Sequence, residues 1–228
     1  MSKPFRFGSE ILVNTATAGH QLRPDFTALA DGRFLAVWTS PDGGAGSGSG
    51  FPYGTYGQIF NADGTPSGGE FRINTTTDYD QNEPVATALD GGGFVITWVD
   101  DSWFTGDFSS NEVRAQVYDA TGATVGAELL VNTTVGGHQN GQAITTLADG
   151  RFVISWTDAS ATGGDVSGSA IRAQIFNEDG SKSGSEFLVN TTTIDNQKAD
   201  STGRRNTFDY ILFEQLVESF GGSFPAEG

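Results

Sequence analysis

The chain has 228 residues, no cysteine, and 28 acidic against 12 basic side chains, for a formal charge of −16. The acidic field repels phosphate backbones and anionic bilayers, which argues against nucleic-acid binding and membrane association. Disulfides, thiol catalysis and Cys-type zinc sites are excluded, and no apolar run is long enough to span a bilayer.

In chain order, the N-terminal stretch MSKPFRFGSEILV holds no apolar signal-peptide core. A short strand, EILVN (Glu10–Asn14), then opens a pattern that returns as EFRIN (Glu70–Asn74), ELLVN (Glu128–Asn132) and EFLVN (Glu186–Asn190). Glutamines follow at Gln21, Gln81, Gln139 and Gln197. Then comes an apolar run ending in tryptophan: LADGRFLAVWTS, LDGGGFVITWVD and LADGRFVISWTD, carrying Trp38, Trp98 and Trp156. A further strand carries Gln58, Gln116 and Gln174. The spacing holds at about 58 residues, a period that signals a repeat architecture.

Each unit reads as four strands. In the middle unit, Pro84–Leu89 and Phe94–Val99 flank an Asp-Gly turn, which supplies the positive φ that a tight hairpin needs. Val113–Tyr118 alternates apolar and polar residues, and Glu128–Val131 completes the set. Four short antiparallel strands per unit, repeated, is the pattern of propeller blades. The predicted fold is therefore all-β, with a β-sandwich or solenoid as the alternative. The repeat domain covers residues 1–198, with units at about 10–69, 70–127 and 128–185 and a partial fourth at 186–198. In the tail, residues 199–228, Phe208, Ile211, Leu212, Leu216 and Phe220 recur at helical spacing. They predict an amphipathic helix over about 206–220.

These units, EFxVNT…ALADGxFVxTW…RxQxFxADG, resemble the tandem β-propeller-like repeats of bacterial secreted proteins exported by type I, haemolysin-like secretion. The likeness covers Ser9 to about Gln197. It implies an extracellular or cell-surface location, reached without a Sec signal, with the cytoplasm as the alternative. The glycine-rich calcium nonapeptides of that wider group are absent, so calcium-dependent folding does not carry over with it.

Three units fall short of the four to eight blades of typical propellers. Exposed strand edges invite pairing, so the expectation is a homo-oligomer, with a dimer favoured. The tryptophans share faces with Phe34, Phe94 and Phe152 and read as core. Better ligand contacts are the loop aromatics Phe51, Tyr53, Trp103, Phe104 and Phe108, which suit a glycan or a surface protein. Asp100, Asp101, Asp107, Asp158 and Asp165 lie in corresponding loops and carry the oxygen ligands that calcium takes, although neither loop has a tight D-x-D-x-D-G arrangement and the plainer reading is solvated turn residues. No cofactor is otherwise expected. His20 and His138 occupy equivalent places, where the other units have Asp80 and Asn196. The repeated Asn and Gln read as architecture, with the glutamines of the third strand bridging blades. No nucleophile elbow, phosphate loop or HExxH is present, and no carboxylate pair stands out for glycoside hydrolysis. The expected function is a non-enzymatic extracellular binding and assembly module that self-associates to complete a propeller. The alternatives are a polysaccharide-acting enzyme on a propeller scaffold and a structural subunit of a surface layer or filament.

Overall fold

The computed structural model describes residues 10–17, 19–41, 52–102, 111–164 and 168–191. Its strands are β1 (Leu22–Ala28), β2 (Phe34–Pro41), β3 (Tyr53–Phe60), β4 (Phe71–Arg72), β5 (Gln81–Ala88), β6 (Phe94–Asp100), β7 (Glu112–Tyr118), β8 (Thr124–Leu130), β9 (Gln139–Thr146), β10 (Phe152–Asp158), β11 (Ala170–Phe176) and β12 (Phe187–Leu188). They form three four-stranded antiparallel sheets, each in chain order. Among the described residues no ladder passes from one sheet to the next, which sets aside the solenoid. The sheets follow one another in series, with β5 lying against both β1 and β9, which sets aside the two-layer sandwich. These are propeller blades. The helix expected over about 206–220 lies outside the described residues.

Local chemistry makes each sheet. The turn between the first two strands places Gly32, Gly92 and Gly150 at φ 88°, 88° and 84°, a region that costs glycine nothing. In the first and third blades the aspartate of the turn accepts from the backbone two residues on: Asp31 Oδ1 from Arg33 N–H at 3.0 Å and Asp149 Oδ1 from Arg151 N–H at 3.2 Å. Each first strand carries an irregular step at Arg23, Glu83 or Gly141, all at positive φ. The Arg23 and Glu83 side chains form an ion pair between blades.

Every second strand has two apolar faces, and the faces alternate in kind. Leu29, Leu35, Val37, Ile59 and Ile73 of the first blade pack on Phe94, Ile96, Trp98 and Tyr118 of the second. Leu89, Val95, Val113, Val117 and Val131 of the second pack on Phe152, Ile154, Trp156 and Phe176 of the third. An aliphatic face therefore receives an aromatic face at each junction. Trp98 and Trp156 are fully buried there, and truncating one would cost about 3–5 kcal/mol. The tryptophans are core.

Polar residues fasten the same junctions. Glu128 Oε2 accepts from Thr75 N–H at 3.0 Å and Thr75 Oγ1 at 2.7 Å, across from the preceding blade. Glu186 takes Thr133 in the same way, at 2.6 and 2.9 Å. Glu70 takes Thr15, so residues 10–15 lie against the first blade as an outer strand of a preceding blade would. Each strand-end asparagine ties its own sheet: Asn74, Asn132 and Asn190 Oδ1 accept from Thr55, Val113 and Ile171 N–H at 2.8, 2.9 and 2.7 Å. The glutamines do not bridge blades. Gln58, Gln116 and Gln174 Nε2 donate to carbonyls of their own sheet, Gly68, Val125 and Gly184 among them, because the third strand lies deep inside its own blade.

Candidate functional site

One edge of the blades gathers the distinctive polar residues. There each first strand begins, each second strand ends, and each third strand begins. In the second blade this brings together Asp80, Asp100, Asp101 and Glu112, and the next blade adds His138. The pairing register sets the placement: Gln81 faces Asp100, and Asp100 faces Glu112. Asp101 N–H donates to Asp80 O at 2.9 Å, and Ala159 N–H donates to His138 O at 2.9 Å in the third blade.

The carboxylates at this edge differ sharply in what they touch. Asp100 is buried and faces a cation. Its Oδ1 accepts from Gln81 Nε2 at 2.7 Å and Ser102 N–H at 2.8 Å, and its Oδ2 pairs with Arg114 Nε at 2.8 Å. Asp158 repeats the role with Gln139 Nε2 at 3.0 Å and Arg172 Nε at 2.6 Å. Arg114 is further held by Glu112 and Glu128 at 3.1 and 3.3 Å. Asp100 and Asp158 therefore serve the inside of the blade, next to an arginine.

Asp101 is different. It has Pro41 and Ala159 as counterparts, so only the second blade carries a carboxyl there. Its Oδ1 is buried with no hydrogen-bond partner. Burial, then the negative charges of Asp80 and Asp100, push its carboxyl up to about 6, against the smaller opposing effects of His138 and Asn82. A carboxyl in that range can donate a proton near neutral pH. Asp80 sits beside it, with Oδ1 accepting from Tyr53 N–H at 2.9 Å. His138 Nδ1 bonds Asn111 Oδ1 at 2.9 Å, which calls for the tautomer protonated at Nδ1.

Of the sequence-predicted site residues, Tyr53, Asp100 and Asp101 come to this edge, and Asp158 occupies the corresponding place in the third blade. Phe51, Trp103, Phe104, Phe108, Asp107 and Asp165 lie outside the described residues. Among the described residues, no three His, Asp or Glu side chains converge as a metal site. Two members escaped the sequence reading as site residues, Asp80 and Tyr79. Aligning the units would have shown both. Tyr79 stands where the other blades have Gly19 and Gly137, and is 54% exposed.

No family model and no curated protein matches the chain. Solved structures do. An endo-arabinase from Bacteroides thetaiotaomicron matches with TM-score 0.50 and 18% identity, over 79% of this chain and 66% of that one. A protein of unknown function from Dyadobacter fermentans matches with TM-score 0.50 and 17% identity, over 73% of this chain and 41% of that one. A xylan beta-1,4-xylosidase from Bacillus halodurans matches with TM-score 0.47 and 18% identity, over 82% and 36%. The chain thus spans less than two thirds of each of these proteins. The likeness is one of fold, and it corrects the expectation of a non-enzymatic binding and assembly module. That expectation rested on blades with no visible catalytic group; blades of this kind are found in a named endo-arabinase, and the folded chain holds a perturbed carboxyl that the linear sequence concealed.

Proposed function

We propose that the chain acts on an extracellular polysaccharide, with the blades as scaffold and Asp101 as proton donor. The observation that carries this reading is the Asp101 carboxyl, held at about 6 beside a second carboxylate, Asp80. Glycoside cleavage needs two carboxyl groups in different protonation states: one protonates the departing glycosidic oxygen, and the other serves the anomeric carbon. Asp101, whose carboxyl burial and like charge raise to about 6 and which therefore holds its proton below that pH, fits the first role. Asp80, half-buried and fixed by the Tyr53 backbone N–H, fits the second; the anomeric form of the first product distinguishes activation of water from direct attack. The match to a protein named endo-arabinase supports arabinan as the first substrate to try.

The test is release of reducing ends from arabinan, xylan and a panel of other polysaccharides across pH. Turnover should decline as pH rises through about 6, where Asp101 loses its proton. Asp101→Asn should lower it by about 10²-fold or more, the usual worth of a general acid. No release from any polysaccharide, or an Asp101→Asn protein as active as wild type, would defeat the proposal.

A further inference from the structure

The chain has two histidines, and both stand at one place of the repeat. His20 precedes Gln21 in the first blade and His138 precedes Gln139 in the third, while the second blade puts Asp80 before Gln81. Because β5 lies against both β1 and β9, place 80 is flanked along the edge by the two imidazoles, one blade away on each side. Both imidazoles belong to exposed residues. The carboxyl pair of the proposed activity, Asp80 and Asp101, thus occupies the middle of a three-blade edge with a histidine before it and a histidine after it.

The fold uses this place for a clasp between blades. Asp80 Oδ1 accepts from Tyr53 N–H of the preceding blade at 2.9 Å. His138 Nδ1 meets the side chain of Asn111, the counterpart of Tyr53, at 2.9 Å, and Gln139 N–H donates to Asn111 O at 3.1 Å beside it. A carboxylate makes the clasp in one junction, so the clasp does not call for histidine. It does fix what the ring offers: with Nδ1–H committed to Asn111 Oδ1, the imidazole keeps Nε2 as an acceptor. The arginines of the same edge are spent elsewhere, Arg114 on Asp100, Glu112 and Glu128, and Arg172 on Asp158 and Glu186. Sugar hydroxyls donate and accept, and imidazoles spaced one blade apart supply partners for them on either side of the carboxyl pair.

Building on the proposed activity, we infer that the polysaccharide runs along this edge across all three blades, with His20 and His138 bonding sugar hydroxyls on either side of the linkage cleaved at Asp101. Cleavage is then internal to the polymer. The two histidines are binding residues that set how long a substrate the site recognises.

The test compares wild type, His20→Ala, His138→Ala and His138→Gln on arabinan, xylan and their short and long oligosaccharides. It reads Kd by calorimetry, KM and kcat, and the fall in viscosity against release of reducing ends. Wild type should thin the polymer before many ends appear. Each alanine variant should raise Kd and KM for polymer and long oligosaccharides about three- to tenfold, the worth of one hydrogen bond, with kcat within about twofold and short oligosaccharides unaffected. His138→Gln, whose amide keeps an acceptor, should recover most of the loss. If His138 served only the clasp, His138→Ala would lower Tm and treat long and short substrates alike, which would overturn the inference. Cleavage with KM unchanged in both alanine variants, or trimming from chain ends alone, would overturn it too and leave the Asp101 reading standing. Length-dependent binding that needs both histidines, with no cleavage by wild type, would defeat the catalytic reading and uphold the binding track. Absence of binding to any polysaccharide tried would sink both.

Discussion

Replacing Asp101 by Asn should stabilise the folded protein, and only at high pH. The carboxyl is raised from its ordinary 3.8 to about 6, first by burial and then by Asp80 and Asp100. The folded state therefore binds a proton more tightly than the unfolded state. The neutral form's contribution to stability is complete below 3.8 and is lost as pH rises through about 6. At pH 8 the native protein holds an unfavourable charge that Asn removes at nearly constant shape. The full rise corresponds to at most about 3 kcal/mol. Water reaches the group and screens the charges, so about 1–2 kcal/mol is the expected gain. In urea titrations this is a midpoint increase of about 0.5 M at pH 8, vanishing near pH 3.5. Asp158→Asn is the control: it breaks the buried pair with Arg172 and should cost about 3 kcal/mol, the low end for such pairs because Glu186 still holds the arginine. If Asp101→Asn destabilised the protein at pH 8, or shifted the midpoint equally at both pH values, Asp101 would be a structural carboxylate and its proposed role would fall.

Two further outcomes concern the blades. Glu128→Ala removes the two bonds to Thr75 and one of the three carboxylates around Arg114. It should cost about 2–4 kcal/mol in urea unfolding, and a loss below about 0.5 kcal/mol would show the junction to be held by apolar contact alone. Asn132→Ala leaves the buried Val113 N–H without its acceptor, at a cost of about 1–3 kcal/mol. Hydrogen exchange at Val113 should accelerate by the corresponding factor, and unchanged protection would refute the assignment.

Much of the architecture was legible from period alone. A Trp strand, an Asp-Gly turn and an Asn-ended strand returning every 58 residues or so can only bury their apolar faces by stacking like units, and the sheets have the expected strands. The outer strand was read less well: β8 extends back to Thr124, while β4 and β12 are two residues each. The first unit has Pro66 there, which lacks a ladder donor. The repeated Glu was noticed as a pattern, but its partner, a threonine 53 or 55 residues away, emerges only when blades stack.

The candidate site divides along the same line. Residue type and place in the repeat were set by the sequence, and they mark Asp101, Asp80 and Tyr79 as departures from their own repeat. That Asp101 would have a raised carboxyl was not in the sequence, since Asp100 and Asp101 are adjacent and chemically identical. Strand alternation turns Asp100 inward to Gln81 and Arg114. It leaves Asp101 against Asp80 with one oxygen buried and unpaired. A proton affinity is a sum over neighbours in space, and those neighbours come from three strand ends and two blades that only the folded chain brings together.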